Sequence, residues 1–364
     1  MSAPVKVLPP PLDAVQVFKQ KKPIPFIRTF SPKLDTILGG GWRSEGCYVI
    51  TGGPGSGKTT FVINVADYTA NIGCPVVYVG AELTPQLVLD RWAARKLQKS
   101  WIQMIDLDPE KDPLLHKQYE EEVHKIQNLL WFLDPEQAPD YKEHISTIRN
   151  TIGPDKPILI IVDYLQDLAA QAIIKGQDPR IAVAGLSREL RFYAREQKCP
   201  IIIVSSTGRQ FYRGDTALDD SAIIASAKDA GEVEYNVNAV IGLRQEKTSA
   251  GHYTKAMIAK NRFGINPAEV SWRVDMATGT FEETDLNAAQ QAGWDAVIKI
   301  WNLVAEEPAK YSTPQILAKK TGASLKHVKQ AIEYLAKGYN QHKLVNQNGY
   351  MLVPLGEPGV PTVS

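Results

Sequence analysis

The run Cys47-Tyr48-Val49-Ile50-Thr51-Gly52-Gly53-Pro54-Gly55-Ser56-Gly57-Lys58-Thr59 decides how the rest of the chain is read. Its opening residues have the apolar, β-branched character of a buried strand, and Gly52 to Thr59 complete a glycine-rich phosphate loop, G-x-x-x-x-G-K-[ST]. Phe61, Val62, Val65 and Ala66 then recur at helical spacing, so the loop joins a strand to the start of an amphipathic helix. In that setting backbone N–H groups close around the β- and γ-phosphates, and the helix adds the positive end of its dipole. Gly53, Pro54, Gly55, Ser56 and Gly57 supply the cradle and Lys58 reaches phosphate oxygens. Thr59 is placed to bind Mg²⁺, and Thr60 joins the nucleotide-binding set in the first helical turn. The residues imply a nucleoside triphosphate, taken as ATP with Mg²⁺.

Composition narrows the class. The 364 residues suggest about two domains, and a net charge of +1 means that any nucleic-acid surface is local rather than global. Cys47, Cys74 and Cys199 lie far apart in or beside apolar runs, which fits buried thiols in a reducing compartment better than a disulfide or a metal site. The first 14 residues lack the layout of a signal peptide, and no apolar run approaches the ~20 residues of a membrane span. The expected location is the cytoplasm, away from any membrane.

An opening arm, residues 1–28, carries Pro9-Pro10-Pro11 and a helix-capable stretch at 13–20 whose Val15, Val17 and Phe18 suit a strap packed on the same subunit or a neighbour. Strand-like runs at 76–79, 130–133, 158–162, 201–205, 239–243 and 256–259 then alternate with helical ones. This is the α/β pattern of a mostly parallel sheet covered on both faces, assigned to residues 29–284. Residues 286–355 read as three helices and a hairpin, followed by a short tail, 356–364.

Two further strands end in acids. Pro157-Ile158-Leu159-Ile160-Ile161-Val162-Asp163 delivers a carboxylate at a strand's C-terminal end, where a phosphate loop needs one to hold Mg²⁺ through water. Val76-Val77-Tyr78-Val79-Gly80-Ala81-Glu82 places Glu82 at the same sheet edge. There it is either the base that activates water beside the γ-phosphate or a solvated surface acid.

The order of these elements, with Val162-Asp163-Tyr164-Leu165-Gln166, Leu186-Ser187-Arg188-Glu189-Leu190 and Ile258-Ala259-Lys260-Asn261-Arg262-Phe263-Gly264, resembles the C-terminal motor domain of DnaB-type replicative helicases. The phosphate loop and its Leu38-Gly39-Gly40-Gly41 approach are shared with RecA and KaiC relatives. The resemblance implies a RecA-like P-loop NTPase core, a six-membered homo-oligomeric ring with ATP between subunits, Glu82 as catalytic base and Asp163 as the Mg²⁺ acid. It also implies that Lys260 and Arg262, which on a strand project together, reach the neighbour's γ-phosphate as trans-acting fingers. From the residues alone they could equally be a solvated basic edge. One departure stands out: Ser206 occupies the position where the family carries a γ-phosphate-sensing Gln.

Two segments suit single-stranded or forked DNA. Residues 169–180 include Lys175 and Arg180; residues 208–228 include Arg209 and Arg213 beside Phe211 and Tyr212. In the tail domain, Thr313-Pro314 opens a helix, Ser324 another, and Asn348-Gly349 signals a hairpin, which together make a winged helix-turn-helix. Trp294, Val297, Ile298, Trp301 and Leu303 or Val304 are expected inward on its first helix, and Leu325, Val328, Ile332 and Leu335 on its third. Lys326, Lys329 and Lys343 belong to a basic surface there, which serves DNA or docks a loader or another replication protein. The function expected is an ATP-dependent ring helicase of a phage, plasmid or other mobile element, against a RecA- or KaiC-like ATPase that assembles without unwinding.

Overall fold

The computed structural model describes residues 13–137, 139–153, 155–171, 178–206, 236–248, 251–284, 288–337, 342–346 and 349–354. In chain order the first half holds α1 (Ala14–Gln20), β1 (Phe26–Ile27), α2 (Pro32–Leu38), β2 (Trp42–Arg43), β3 (Cys47–Gly52), α3 (Lys58–Asn71), β4 (Val76–Gly80), α4 (Pro85–Leu97), α5 (Trp101–Ile105), α6 (Pro113–Lys125), β5 (Leu130–Leu133) and α7 (Tyr141–Ile152). Then come β6 (Leu159–Asp163), α8 (Leu165–Gln171), α9 (Pro179–Glu196), β7 (Ile201–Ser206), β8 (Ala239–Thr248), β9 (Gly251–Asn261), β10 (Ala268–Asp275) and β11 (Thr280–Glu283).

Nine strands form one sheet in the order β11-β10-β9-β8-β3-β7-β6-β4-β5. From β8 to β5 all neighbours are parallel, while β9, β10 and β11 join as antiparallel pairs. The parallel strands are apolar on both faces because helices cover both. Alternation then sorts each strand. Tyr48, Ile50, Leu159, Ile161, Ile202 and Val204 meet α3 and α4 through Phe61, Val62, Val88 and Trp92. Cys47, Val49, Ile160, Val162, Ile201 and Ile203 meet α7, α8 and α9 through Ile145, Leu165 and Leu190. All three cysteines are buried with free thiols, as expected. Behind the phosphate loop, Phe30, Phe61, Trp272 and Phe281 cluster with ring centroids 5.3 to 6.0 Å apart, an arrangement that adds about 0.5–1.5 kcal/mol per pair beyond simple burial.

The sequence runs at 239–243 and 256–259 are only the most apolar parts of the long β8 and β9, and β10 and β11 had no place in the sequence reading. In β10, Val270, Trp272 and Val274 are buried and alternate with polar residues, as suits one covered face. The arm helix α1 forms and Asp13 caps it, but Val15, Val17 and Phe18 are all exposed. Among the described residues the helix is therefore not packed as a strap.

A third core lies in α10 (Ala288–Glu306), α11 (Pro314–Thr321), α12 (Leu325–Lys337) and the antiparallel pair β12 (His342–Asn346) and β13 (Tyr350–Pro354). Thr313 caps α11 with Pro314 in its first turn, and Gly322 closes it in the left-handed region. Two expected core positions fail: Ile298 is 46% and Leu325 38% exposed, while Ile300 and Ala331 are buried. The buried stripe of α10 runs through Val297, Ile300 and Val304, which leaves Ile298 turned away; Leu325 sits at the very start of its helix. Trp294 lies outside the described side chains.

Candidate nucleotide site

Strand β3 delivers the loop into the middle of the parallel sheet, and α3 begins at Lys58 directly after it. Gly57 caps α3 at φ 86, a conformation in which a side chain would be strained, and no side chain caps the helix. The α3 N-terminus is thus left to an anionic ligand. Lys58 Nζ donates to the carbonyls of Gly52 and Gly53, both at 2.9 Å, so its charge is held over the loop. Burial lowers the Lys58 pKa, opposed by the charges of Asp163 and Glu82. Pro54 and Gly55 form the exposed tip, Ser56 is buried, and a methyl added to Gly55 would point into open space.

Asp163 ends β6 and is only 2% exposed. One carboxylate oxygen accepts from the Tyr78 hydroxyl; the other, Oδ1, is buried without a hydrogen-bond partner. Burial pushes its pKa up to about 6, with the Tyr78 hydrogen bond and the neighbouring Thr59 hydroxyl pulling the other way and Glu82 adding to the rise. A buried, half-satisfied carboxylate beside the Thr59 hydroxyl is the donor set a hard divalent cation takes. These residues therefore fit Mg²⁺. Glu82 lies just beyond β4 and is exposed on the cleft wall, its N–H directed at the Asp163 carbonyl at 3.4 Å.

The cleft over the loop has a volume of about 430 Å³. Pro54, Gly55, Gly57, Lys58, Thr59, Thr60 and Glu82 line it as expected. Sequence reading missed its other wall, which includes Arg91, Arg95, Trp101, Gln245, Met276 and Thr278. Arg91 lies over the Trp101 ring, 5.4 Å from its centroid, and Arg95 is ion-paired with buried Asp67. No local pattern marks these residues, because α4, α5, β8 and the β10–β11 turn bring them in separately.

Lys260 and Arg262 are not at this cleft. Val240 pairs with both Val49 and Lys260, and the Arg262 N–H donates to Asn238, one residue before β8, so both cations stand at the end of the sheet opposite Gly52. Five strand residues separate the level of Arg262 from Gly52, roughly 16 Å at the strand rise. Lys260 is in β9, whereas Arg262 lies just past its last residue. The segment is firmly seated: Asn261 Nδ2 donates to Ile37 O at 2.8 Å, and Ile265 N donates to the same carbonyl at 3.0 Å. A Cβ on Gly264 would overlap that carbonyl, and one on Gly39 would overlap Phe263 O, so both positions need glycine.

Ser206 ends β7 opposite Gly52 in the ladder and is exposed. Of the expected DNA segments, residues 169–171 are helical in α8 and Arg180 is an exposed residue in the first turn of α9, so neither end is loop. Lys175, Arg209 and Arg213 lie outside the described residues. Lys326 and Lys329 are exposed on α12, and Lys343 is in β12 with its side chain outside the described set. Lys310, on the loop before α11, is ion-paired with Glu307 and adds little free charge to this surface.

A family profile described as the DnaB-like helicase C terminal domain matches residues 27–283. The chain belongs to that family. A protein named probable plasmid replicative DNA helicase from Chlamydia psittaci is 23% identical over 239 residues, 64% of this chain and 50% of the relative. The replicative DNA helicase DnaB of Mycoplasma genitalium is 24% identical over 265 residues, 68% of this chain and 54% of the relative. The chain thus spans about half the length of these curated relatives. Among solved structures, the ATPase domain of G40P superposes with a TM-score of 0.62 at 17% identity, covering 74% of this chain and 95% of that one, which shows the shared fold. The matched span contains the nine-stranded sheet and the nucleotide cleft, and residues beyond 283 lie outside the match. No helix among the described residues is long and apolar enough to cross a membrane.

Proposed function

We propose that this chain is an ATP-hydrolysing, DnaB-like ring motor that unwinds forked DNA in the replication of a phage, plasmid or other mobile element. The observation that carries the reading is the polarity of the sheet. One end presents the phosphate loop, Glu82 and Asp163, and the other presents Lys260 and Arg262 on a rigid seat. A copy so built cannot complete its own site, but a head-to-tail ring of copies, six as the family resemblance implies, brings each Arg262 to the next copy's cleft.

Bound ATP and Mg²⁺ supply the phosphoryl group and neutralise its charge. Lys58 and the loop N–H groups hold the phosphates, Thr59 and Asp163 hold the cation, and Glu82 takes the proton of the attacking water. A winged-helix tail gripping DNA through Lys326 and Lys329 fits the same motor, with protein docking to a loader as the other use of that surface.

The test is single-stranded DNA stimulation of the ATPase together with displacement of a tailed strand by the full chain. Both are expected. Ser206 in place of the family Gln favours one other reading, an ATPase that assembles on DNA without unwinding. Stimulation without displacement would select it.

Asp163 takes up a proton in the folded state below about pH 6, so its contribution to stability falls as pH rises from the unfolded value to about 6 and is constant above. A cation must displace that proton, so Mg²⁺-dependent nucleotide binding should weaken about tenfold per pH unit below ~6 and level off above. Asp163→Asn should abolish the pH step; a parent binding curve flat from about pH 5 to pH 8 contradicts the assignment. For the tail, Lys326→Glu with Lys329→Glu should lower the slope of DNA affinity against salt by about two phosphate contacts, read by fluorescence anisotropy. An unchanged slope assigns the surface to a protein partner.

A further inference from the structure

Strands β6 and β7 pair from Ile160↔Ile201 to Val162↔Ile203, and there the ladder stops. β7 runs on to Ser206, whereas Asp163, at the end of β6, is level with Gly80 of β4 on its other side. The two strands splay apart where the candidate nucleotide site begins. Into this gap α8 places Gln166, a half-buried residue three positions after Asp163. Its Nε2 donates to Ser205 Oγ at 2.9 Å and to Ser206 O at 3.2 Å, and its Oε1 accepts from Ser206 N at 3.3 Å.

A carboxamide is chemically a peptide group, so Gln166 pairs with both backbone groups of Ser206 as a further strand residue would. It closes with a side chain the ladder that the backbone leaves open. Ser206 is in turn the β-ladder partner of Gly52, whose carbonyl receives the Lys58 ammonium. A short physical path therefore runs from the Asp163 segment through the Gln166 carboxamide to the end of β7 and the first residue of the phosphate loop. The chain beyond Ser206 is the segment in which sequence reasoning placed DNA contacts.

We infer that Gln166 is a positioning residue that couples the nucleotide site to DNA through the end of β7, a linkage for which the Ser206 side chain is too short. The inference rests on the motor reading above. Three hydrogen bonds of ordinary length, each modest in net strength, suit a joint that forms in one state of the site and opens in another.

The experiment measures ATPase activity of the full chain with and without single-stranded DNA, for the parent, Gln166→Met and Gln166→Asn. Methionine keeps the length of the stem and removes every hydrogen-bonding group; asparagine keeps the carboxamide and withdraws it by one methylene. Both should retain DNA-free kcat and KM for ATP within about twofold while the stimulation factor falls on the order of tenfold. Stimulation at the parent level in both variants overturns the proposal. So does loss of DNA-free turnover in step with the melting temperature, since Gln166 would then be a brace of the fold. A parent that shows no stimulation sinks the motor reading itself, and with it the coupling role; the parent measurement separates that failure from the others.

Discussion

Arg262→Ala is expected to cut ATP hydrolysis by roughly 10³–10⁵-fold while leaving nucleotide binding close to the parent level. Binding survives because the residue stands at the far end of the sheet from Gly52 and touches no part of its own phosphate loop. Turnover fails because negative charge that shifts across the phosphoryl oxygens in the transition state loses the guanidinium that meets it. Lysine should be a poor substitute, since it brings the charge without the planar fork of donors. The fold should tolerate the change, because Arg262 is exposed and Asn261 and Gly264 seat the segment. Equilibrium binding of a fluorescent nucleotide beside steady-state ATPase decides it. Near-parent turnover, or loss of binding, contradicts the assignment.

Glu82→Gln should leave a protein that binds ATP and stalls. The change keeps size and polarity, and Glu82 is exposed, so neither fold nor phosphate cradle should suffer. What disappears is a base at the cleft wall, a loss expected to cost about 10²–10⁴-fold in kcat with little effect on affinity. A single-turnover experiment with the ATP trapped on the protein reads this directly. Turnover at the parent rate would return Glu82 to the status of a surface acid.

The parts of this site that were legible in the sequence are those written in consecutive residues. The loop from Gly52 to Thr59 carries its own strand and helix signals, and Asp163 and Glu82 each close an apolar run, so local chemistry located all three. The opposite wall was not legible. Arg91, Arg95, Trp101, Gln245, Met276 and Thr278 come from separate elements, and only the packing of α4, α5 and the hairpin strands puts them over the loop. In the sequence Gln166 is only part of a motif, since its meaning depends on the splay of β6 and β7, a property of the sheet. Strand β10 is marked by alternation, Val270, Trp272 and Val274 against polar neighbours, and not by a continuous apolar run. In α10 the buried stripe takes Ile300 rather than Ile298, because Val297, Ile298, Ile300 and Trp301 lie close enough together to support either stripe.

The central claim is that each nucleotide site is completed by a neighbouring copy, and mixing two inactive variants tests it most directly. Arg262→Ala subunits keep Glu82, and Glu82→Gln subunits keep Arg262. Where the first type contributes the cleft and the second its neighbour, the site is whole. ATPase activity is therefore expected to rise above the sum of the separate proteins and to pass through a maximum at an intermediate mixing ratio. With subunit exchange confirmed by fluorescence energy transfer between labelled copies, activity that stays at the sum at every ratio contradicts the account.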